Sequence, residues 1–218
     1  MTSPIADMNE PKADSFMDWF HVNSRWVGVG AVVVGLAAFG FWIVQRTAMN
    51  ATISSDKQLI IAKQSINSGN TPLAEADLKK VYDKYGDKAA GQEAGLLIAE
   101  LRMNKGDFPG AITFLNEMSG KVSSGATAPA VHGLLGDALA QTGKSAEAAA
   151  EYEKAAGLTA MVNEKGFWMS KAGRAYLDGG KREEARKIYE GLAHQSDNEA
   201  LATEARVRLG ELAAGSKA

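Results

Sequence analysis

Residues 135–155 read Leu-Gly-Asp-Ala-Leu-Ala-Gln-Thr-Gly-Lys-Ser-Ala-Glu-Ala-Ala-Ala-Glu-Tyr-Glu-Lys-Ala, two helix-compatible runs meeting at Gly143. The same layout returns at a fixed spacing: Gly69, Gly106, Gly143 and Gly180 are 37 residues apart, and each follows a helix-compatible run. Three further columns keep that period. Seven residues before each glycine stand Ala62, Ala99, Gly136 and Gly173, and five after stand Ala74, Ala111, Ala148 and Ala185. Nine after come Leu78, Leu115, Tyr152 and Tyr189, with Val81, Met118, Ala155 and Leu192 at twelve after. A glycine between two helical runs suits the sharp turn of a helical hairpin. Small residues permit close approach of its two helices, and the larger ones fill the gap to the next hairpin.

A single hairpin leaves an apolar face uncovered, so neighbours must stack to bury it, which predicts an all-α solenoid with a distributed core. Continuing the period, Leu209-Gly210 falls where Leu135-Gly136 stood. A fifth first-helix, about Asn198 to Ala214, is therefore expected to cap the stack, giving four and a half units over 47–214 and leaving 215–218 as a tail. Linker residues between hairpins are expected in stretches such as Ser119 to Thr127.

Ahead of the repeats, Trp26 to Val44 is a run of nineteen uncharged, mostly apolar residues bounded by Arg25 and Arg46. At 1.5 Å rise per residue it is about 28 Å long, matching the hydrocarbon core of a bilayer. This predicts one transmembrane helix over 25–46. Trp26 and Trp42 stand near its ends, where amphipathic rings favour the membrane interface. The preceding residues carry Asp7, Glu10, Asp14 and Asp18 against Lys12, unlike the positive leader of a signal peptide, so the segment is expected to be retained as an anchor. In the polar arm 1–24, Phe16, Trp19 and Phe20 at i, i+3 and i+4 would share one face of a short interfacial helix. Ala31-x-x-x-Gly35 is a weak small-residue pairing signal within the span. Positive charge is balanced, with Lys12 and Arg25 on one side and Arg46, Lys57 and Lys63 on the other, so it assigns no orientation.

Over its 218 residues the chain has 24 Lys+Arg against 26 Asp+Glu and no cysteine. No cationic surplus favours nucleic-acid binding, and thiolate metal sites, disulfides and thiol nucleophiles are absent. His21, His132 and His194 are scattered, without metal-ligand spacing. His194 and Asp197 lie close, but no nucleophile accompanies them, and no phosphate-loop motif occurs. The reading is a non-enzymatic chain with no cofactor, no metal, no nucleic-acid partner and no small-molecule substrate.

The register of a small residue, turn glycine, alanine five later and leucine or tyrosine nine later resembles tetratricopeptide repeats. Asn104-Lys105-Gly106-Asp107-Phe108, and Leu135-Gly136 with Gly143, Ala148, Tyr152 and Ala155, match best; the first unit is poorer, no unit closes with proline, and the period exceeds the usual 34. The succession of polar aromatic arm, single span and repeats is similar to YfgM-like ancillary subunits of the Sec translocon. That resemblance implies a bacterial inner-membrane anchor with a periplasmic repeat domain that meets translocon or chaperone components. It also implies that the first helix of each hairpin lines a groove. Two columns then supply candidates: Lys63, Glu100, Asp137 and Arg174, and Asn67, Asn104, Gln141 and Asp178, with Leu96, Met103 and Phe167 as apolar contacts. Amides and apolar side chains at recurrent positions suit an extended peptide. The alternative is that these are solvated helix faces. Two functions remain open: an adaptor binding proteins near the secretion machinery, or a permanent structural subunit of a photosynthetic or respiratory membrane complex.

Overall fold

The computed structural model describes residues 12–195 and 198–214, apart from the side chains of residues 12–18, 20 and 21. All regular secondary structure among these residues is helical: α1 (Lys12–Asn67), α2 (Thr71–Tyr85), α3 (Ala89–Asn104), α4 (Phe108–Lys121), α5 (Ala128–Gln141), α6 (Ser145–Leu158), α7 (Val162–Asp178), α8 (Arg182–Ala193) and α9 (Glu199–Ala214). By its contacts the chain divides at Ala51/Thr52 into two units. The expected boundaries at 24/25 and 46/47 both fall inside α1, so no separate short helix precedes the span and no loop follows it. The arm up to residue 11 and the tail 215–218 lie outside the described residues.

In the first unit, the helix includes a segment long and apolar enough to cross a membrane, with none of that segment buried. Valines, Leu36, Phe39 and Phe41 are exposed on every side of it. A helix apolar all round satisfies its own backbone but has no water-facing stripe, the pattern suited to hydrocarbon.

In the second unit, four glycines make the turns within the hairpins. Gly69, Gly106, Gly143 and Gly180 have φ of 73°, 78°, 76° and 73°, the left-handed region that a β-carbon disfavours. Hydrogen bonding repeats with them. Gly106, Gly143 and Gly180 donate to the carbonyls of Met103, Ala140 and Leu177, while the next residues, Asp107, Lys144 and Lys181, donate five residues back to Arg102, Leu139 and Tyr176. These bonds close the C-terminus of each first helix in a Schellman arrangement. Second helices start from side-chain caps where the sequence supplies them: Asn70 accepts from Leu73 N at 3.2 Å, and Asp107 from Gly110 N at 3.0 Å. Between hairpins, α4 extends to Lys121, so that linker is 122–127, shorter than expected from sequence.

Every residue of the periodic columns flanking the turns is buried. Their sizes are matched pairwise across each hairpin. Where the large residue is Leu78 or Leu115, the small one is Ala62 or Ala99; where it is Tyr152 or Tyr189, the small one is Gly136 or Gly173. A β-carbon on Gly136 would stand 2.6 Å from Tyr152 Cε1, and one on Gly173 would stand 2.9 Å from Tyr189 Cζ. Close packing at constant volume explains the pairing. First helices also touch one another, α3 against α5 and α7 against α9, and α9 closes the stack with Ala202, Ala205 and Leu212 buried.

Candidate protein-binding face

The first helices of the second unit present one continuous face, on which the candidates separate into three groups. Asn67, Asn104, Gln141 and Asp178 are each the last residue of their helix and are exposed beside the turn glycine. Their shared polarity follows from that solvated, helix-terminal place. Lys63 and Asp137 are engaged by neighbouring units: Lys63 pairs with Glu93, while Asp137 Oδ1 accepts from Lys171 Nζ and, at 2.6 Å, from the Tyr152 hydroxyl. Burial and the adjoining Asp137 carboxylate push the Tyr152 hydroxyl well above the ordinary phenol range, so it stays a donor. Leu96 is half-buried against the core, Met103 is half-buried, and Glu100 is exposed.

The third group, Phe167 and Arg174, lies on the walls of a cleft of about 440 Å³ between α7 and α9. Asn163, Phe167, Ser170, Lys171 and Arg174 line it from α7, and Asn198, Ala200, Leu201 and Glu204 from the other side. Spacings of four, three, one and three place the α7 residues on a single helix face. Phe167 is 51% exposed, although its ring meets Trp168 edge-on at 4.8 Å. Trp168 is held in turn by Tyr152, stacked at 6.3 Å, and by Gly133, where a β-carbon would come 2.2 Å from the indole. Lys171 Nζ lies 5.1–5.4 Å from the centres of the Tyr152, Phe167 and Trp168 rings while bound to Asp137, so its charge is satisfied. Asn198 caps α9, accepting from Leu201 N at 3.1 Å, and Ser170 Oγ donates to Glu204 at 3.5 Å. Arg174, exposed, has no ion pair among the described residues.

The sequence reading missed Asn163, Ser170, Lys171, Asn198, Leu201 and Glu204. One more step of the period would have helped, because Ala200 and Glu204 stand 37 residues after Asn163 and Phe167. Of the interfacial aromatics, Trp19, Trp26 and Trp42 are exposed; Trp42 stacks on Phe39 at 5.9 Å, with the Arg46 guanidinium 5.4 Å from its ring centre. Phe16 and Phe20 have side chains outside the described residues. Among the described residues no group of three or more His, Asp or Glu side chains is placed to hold a metal ion.

Stacked helical hairpins with glycine turns, a closing half-unit and an open face of first helices define a repeat-type binding domain. The family described as tetratricopeptide repeat-like domain matches residues 44–166, more than half of the chain, and a tetratricopeptide repeat family matches residues 169–198. The chain belongs to the tetratricopeptide repeat-like family. No curated protein matches it in sequence. Solved structures with the same fold include BtubC from P. vanneervenii, with a TM-score of 0.59 at 14% identity over 77% of this chain and 74% of that one. Pseudomonas aeruginosa PilF gives 0.57 at 15% identity over 77% and 71%. A tetratricopeptide repeat protein from Parabacteroides merdae gives 0.58 at 12% identity over 74% and 61%. At these identities the likeness concerns the fold alone. Tetratricopeptide repeats suggest a protein–protein interaction scaffold.

Proposed function

We propose that this chain is a membrane-anchored interaction scaffold, held in a bilayer by the apolar part of α1 and binding partner proteins through the face of its first helices. The cleft between α7 and α9 carries the reading, because it leaves an aromatic ring and a guanidinium open on a wall whose other groups are satisfied internally. Such a combination of apolar anchor and charged donor is what protein interfaces use most. The exposed, all-round apolar segment supports the anchor. Resemblance in layout to YfgM-like proteins supports a bacterial inner-membrane setting, with the repeats on the periplasmic side near the secretion machinery. Tagged chain purified from native membranes in mild detergent tests this. Translocon or chaperone components recovered at substoichiometric levels, and lost on mutation of the cleft, are the expected result. Recovery in fixed ratio with one pigment or redox complex would make it a structural subunit instead.

A further inference from the structure

We infer that the α7–α9 cleft selects an extended partner segment in which an apolar side chain and a carboxylate are three residues apart; this rests on the scaffold reading above. Phe167 and Leu201 face the cleft from opposite sides and leave an apolar slot between them. Seven residues on along α7, about 10.5 Å at 1.5 Å per residue, stands Arg174. An extended chain covers that distance in about three residues at 3.3–3.4 Å each. Charge complementarity fixes the chemistry. Lys171 is already neutralised by Asp137, which leaves the Arg174 guanidinium as the unpaired cation of the α7 wall, and a guanidinium binds a carboxylate through two parallel N–H bonds. Glu204, on the opposite wall, accepts only a long bond from Ser170 and is suited to the backbone N–H groups of an extended chain while repelling a second acidic side chain. The slot therefore takes one acidic residue in register, not an acidic run.

The test uses the full chain in lipid nanodiscs and labelled twelve-residue peptides carrying Leu-Ser-Ser-Glu or Glu-Ser-Ser-Leu at their centre, followed by fluorescence anisotropy. Controls replace the glutamate by lysine, the leucine by serine, or the pair spacing by adjacent residues. At least one order of Leu and Glu should bind fivefold or more tightly than its lysine control. Arg174→Glu should reverse that preference, Arg174→Lys should keep it, and Phe167→Ala should weaken binding of the leucine peptides to the level of the serine control. Both side chains are exposed, so the variants should retain wild-type helicity by circular dichroism. Equal binding of the glutamate and lysine peptides, or a preference unmoved by Arg174→Glu, would overturn the inference. Peptides that fail to bind while native partners still co-purify in a cleft-dependent way overturn it and leave the scaffold reading standing; loss of both retires both.

Discussion

Replacing Gly136 by alanine adds one methyl group at a place where the hairpin has no room for it. The new β-carbon would lie 2.6, 2.8 and 3.0 Å from Tyr152 Cε1, Cδ1 and Cζ. That ring cannot swing aside: it is buried, its hydroxyl is bonded to Asp137, and its face stacks on Trp168. Overpacking of this kind costs about 1–3 kcal/mol, offset by about 1 kcal/mol of better helix propensity, which leaves a net loss of about 1–2 kcal/mol. For a domain of this size the thermal midpoint should fall by about 2–8 °C. Gly210→Ala is the matched control, since it is also within a helix but its β-carbon meets nothing within 4 Å, and it should be stabilised by about 0.5–1 kcal/mol. Adding Tyr152→Leu to Gly136→Ala recreates the alanine–leucine pair of the first two units. A double-mutant cycle by circular dichroism should therefore give a favourable coupling of about 1 kcal/mol or more. Strict additivity, or a Gly136→Ala variant as stable as Gly210→Ala, would refute the idea that the two columns are sized to each other.

Gly143→Ala should cost about 1–2 kcal/mol through its φ of 76° alone, because the surrounding space is open, and Gly143→Asn should cost less in the same thermal melts. Hydrogen bonding from Lys105, and then Arg102, holds the Glu75 carboxyl below the ordinary carboxylate range despite burial. A lowered folded pKa stabilises the fold above the ordinary carboxylate pKa, and this is lost as pH falls toward the folded value. The urea-midpoint gap between wild type and Glu75→Gln should thus be widest near pH 7 and shrink toward pH 3. Arginine at Val34 and Leu36 should move the chain from the membrane pellet to the supernatant on alkaline carbonate extraction, each residue opposing insertion by about 2.5–3.5 kcal/mol; a wild-type chain already released by carbonate would remove the anchor. Ile98→Ala should lose about 2–5 kcal/mol, whereas Ile61→Ala, one period earlier, should stay within about 0.5 kcal/mol by the same melts.

The repeat was legible because its demands are local and recur: a left-handed backbone at Gly69, Gly106, Gly143 and Gly180, and volume limits at the columns around them. Each of these is a property of residue type at a fixed offset, so four copies made it visible. The binding face was less legible for two physical reasons. Polarity at Asn67, Asn104, Gln141 and Asp178 has its cause in helix termination, which repeats as faithfully as any ligand contact would. Conversely, what distinguishes Arg174 from Lys63 or Asp137 is the lack of a partner, and partners such as Glu93 and Lys171 belong to adjacent helices whose register only the fold supplies. The cleft is also not periodic. It arises where a complete hairpin meets the closing helix, so it borrows Leu201 and Glu204 from a unit with no second helix.

The period also explains how the stack ends without aggregating. In the later units the columns that begin at Lys57, Ile61, Gln64 and Asp77 are occupied by Ala94, Ile98, Leu101 and Phe114, then by Val131, Leu135, Ala138 and Glu151. Ile98, Ala94, Val131, Leu135 and Ala138 are fully or almost fully buried, whereas Ile61 is 52% exposed against 1% for Ile98. The difference is the absence of a preceding hairpin in front of α1 and α2. Lysine, glutamine and aspartate in three of the four columns give that end the polar surface that a terminal repeat requires. Asp77 is stabilised in place by hydrogen bonds from Lys80 and Ser65, which hold its carboxyl below the ordinary range. At the other end the same requirement is met by an added helix rather than by substitution, and Arg182 reaches across to donate to the Leu212 carbonyl of α9 at 3.0 Å. A substituted end adds no surface, but an added helix creates a new junction with its neighbour, and it is at that junction that the open cleft appears.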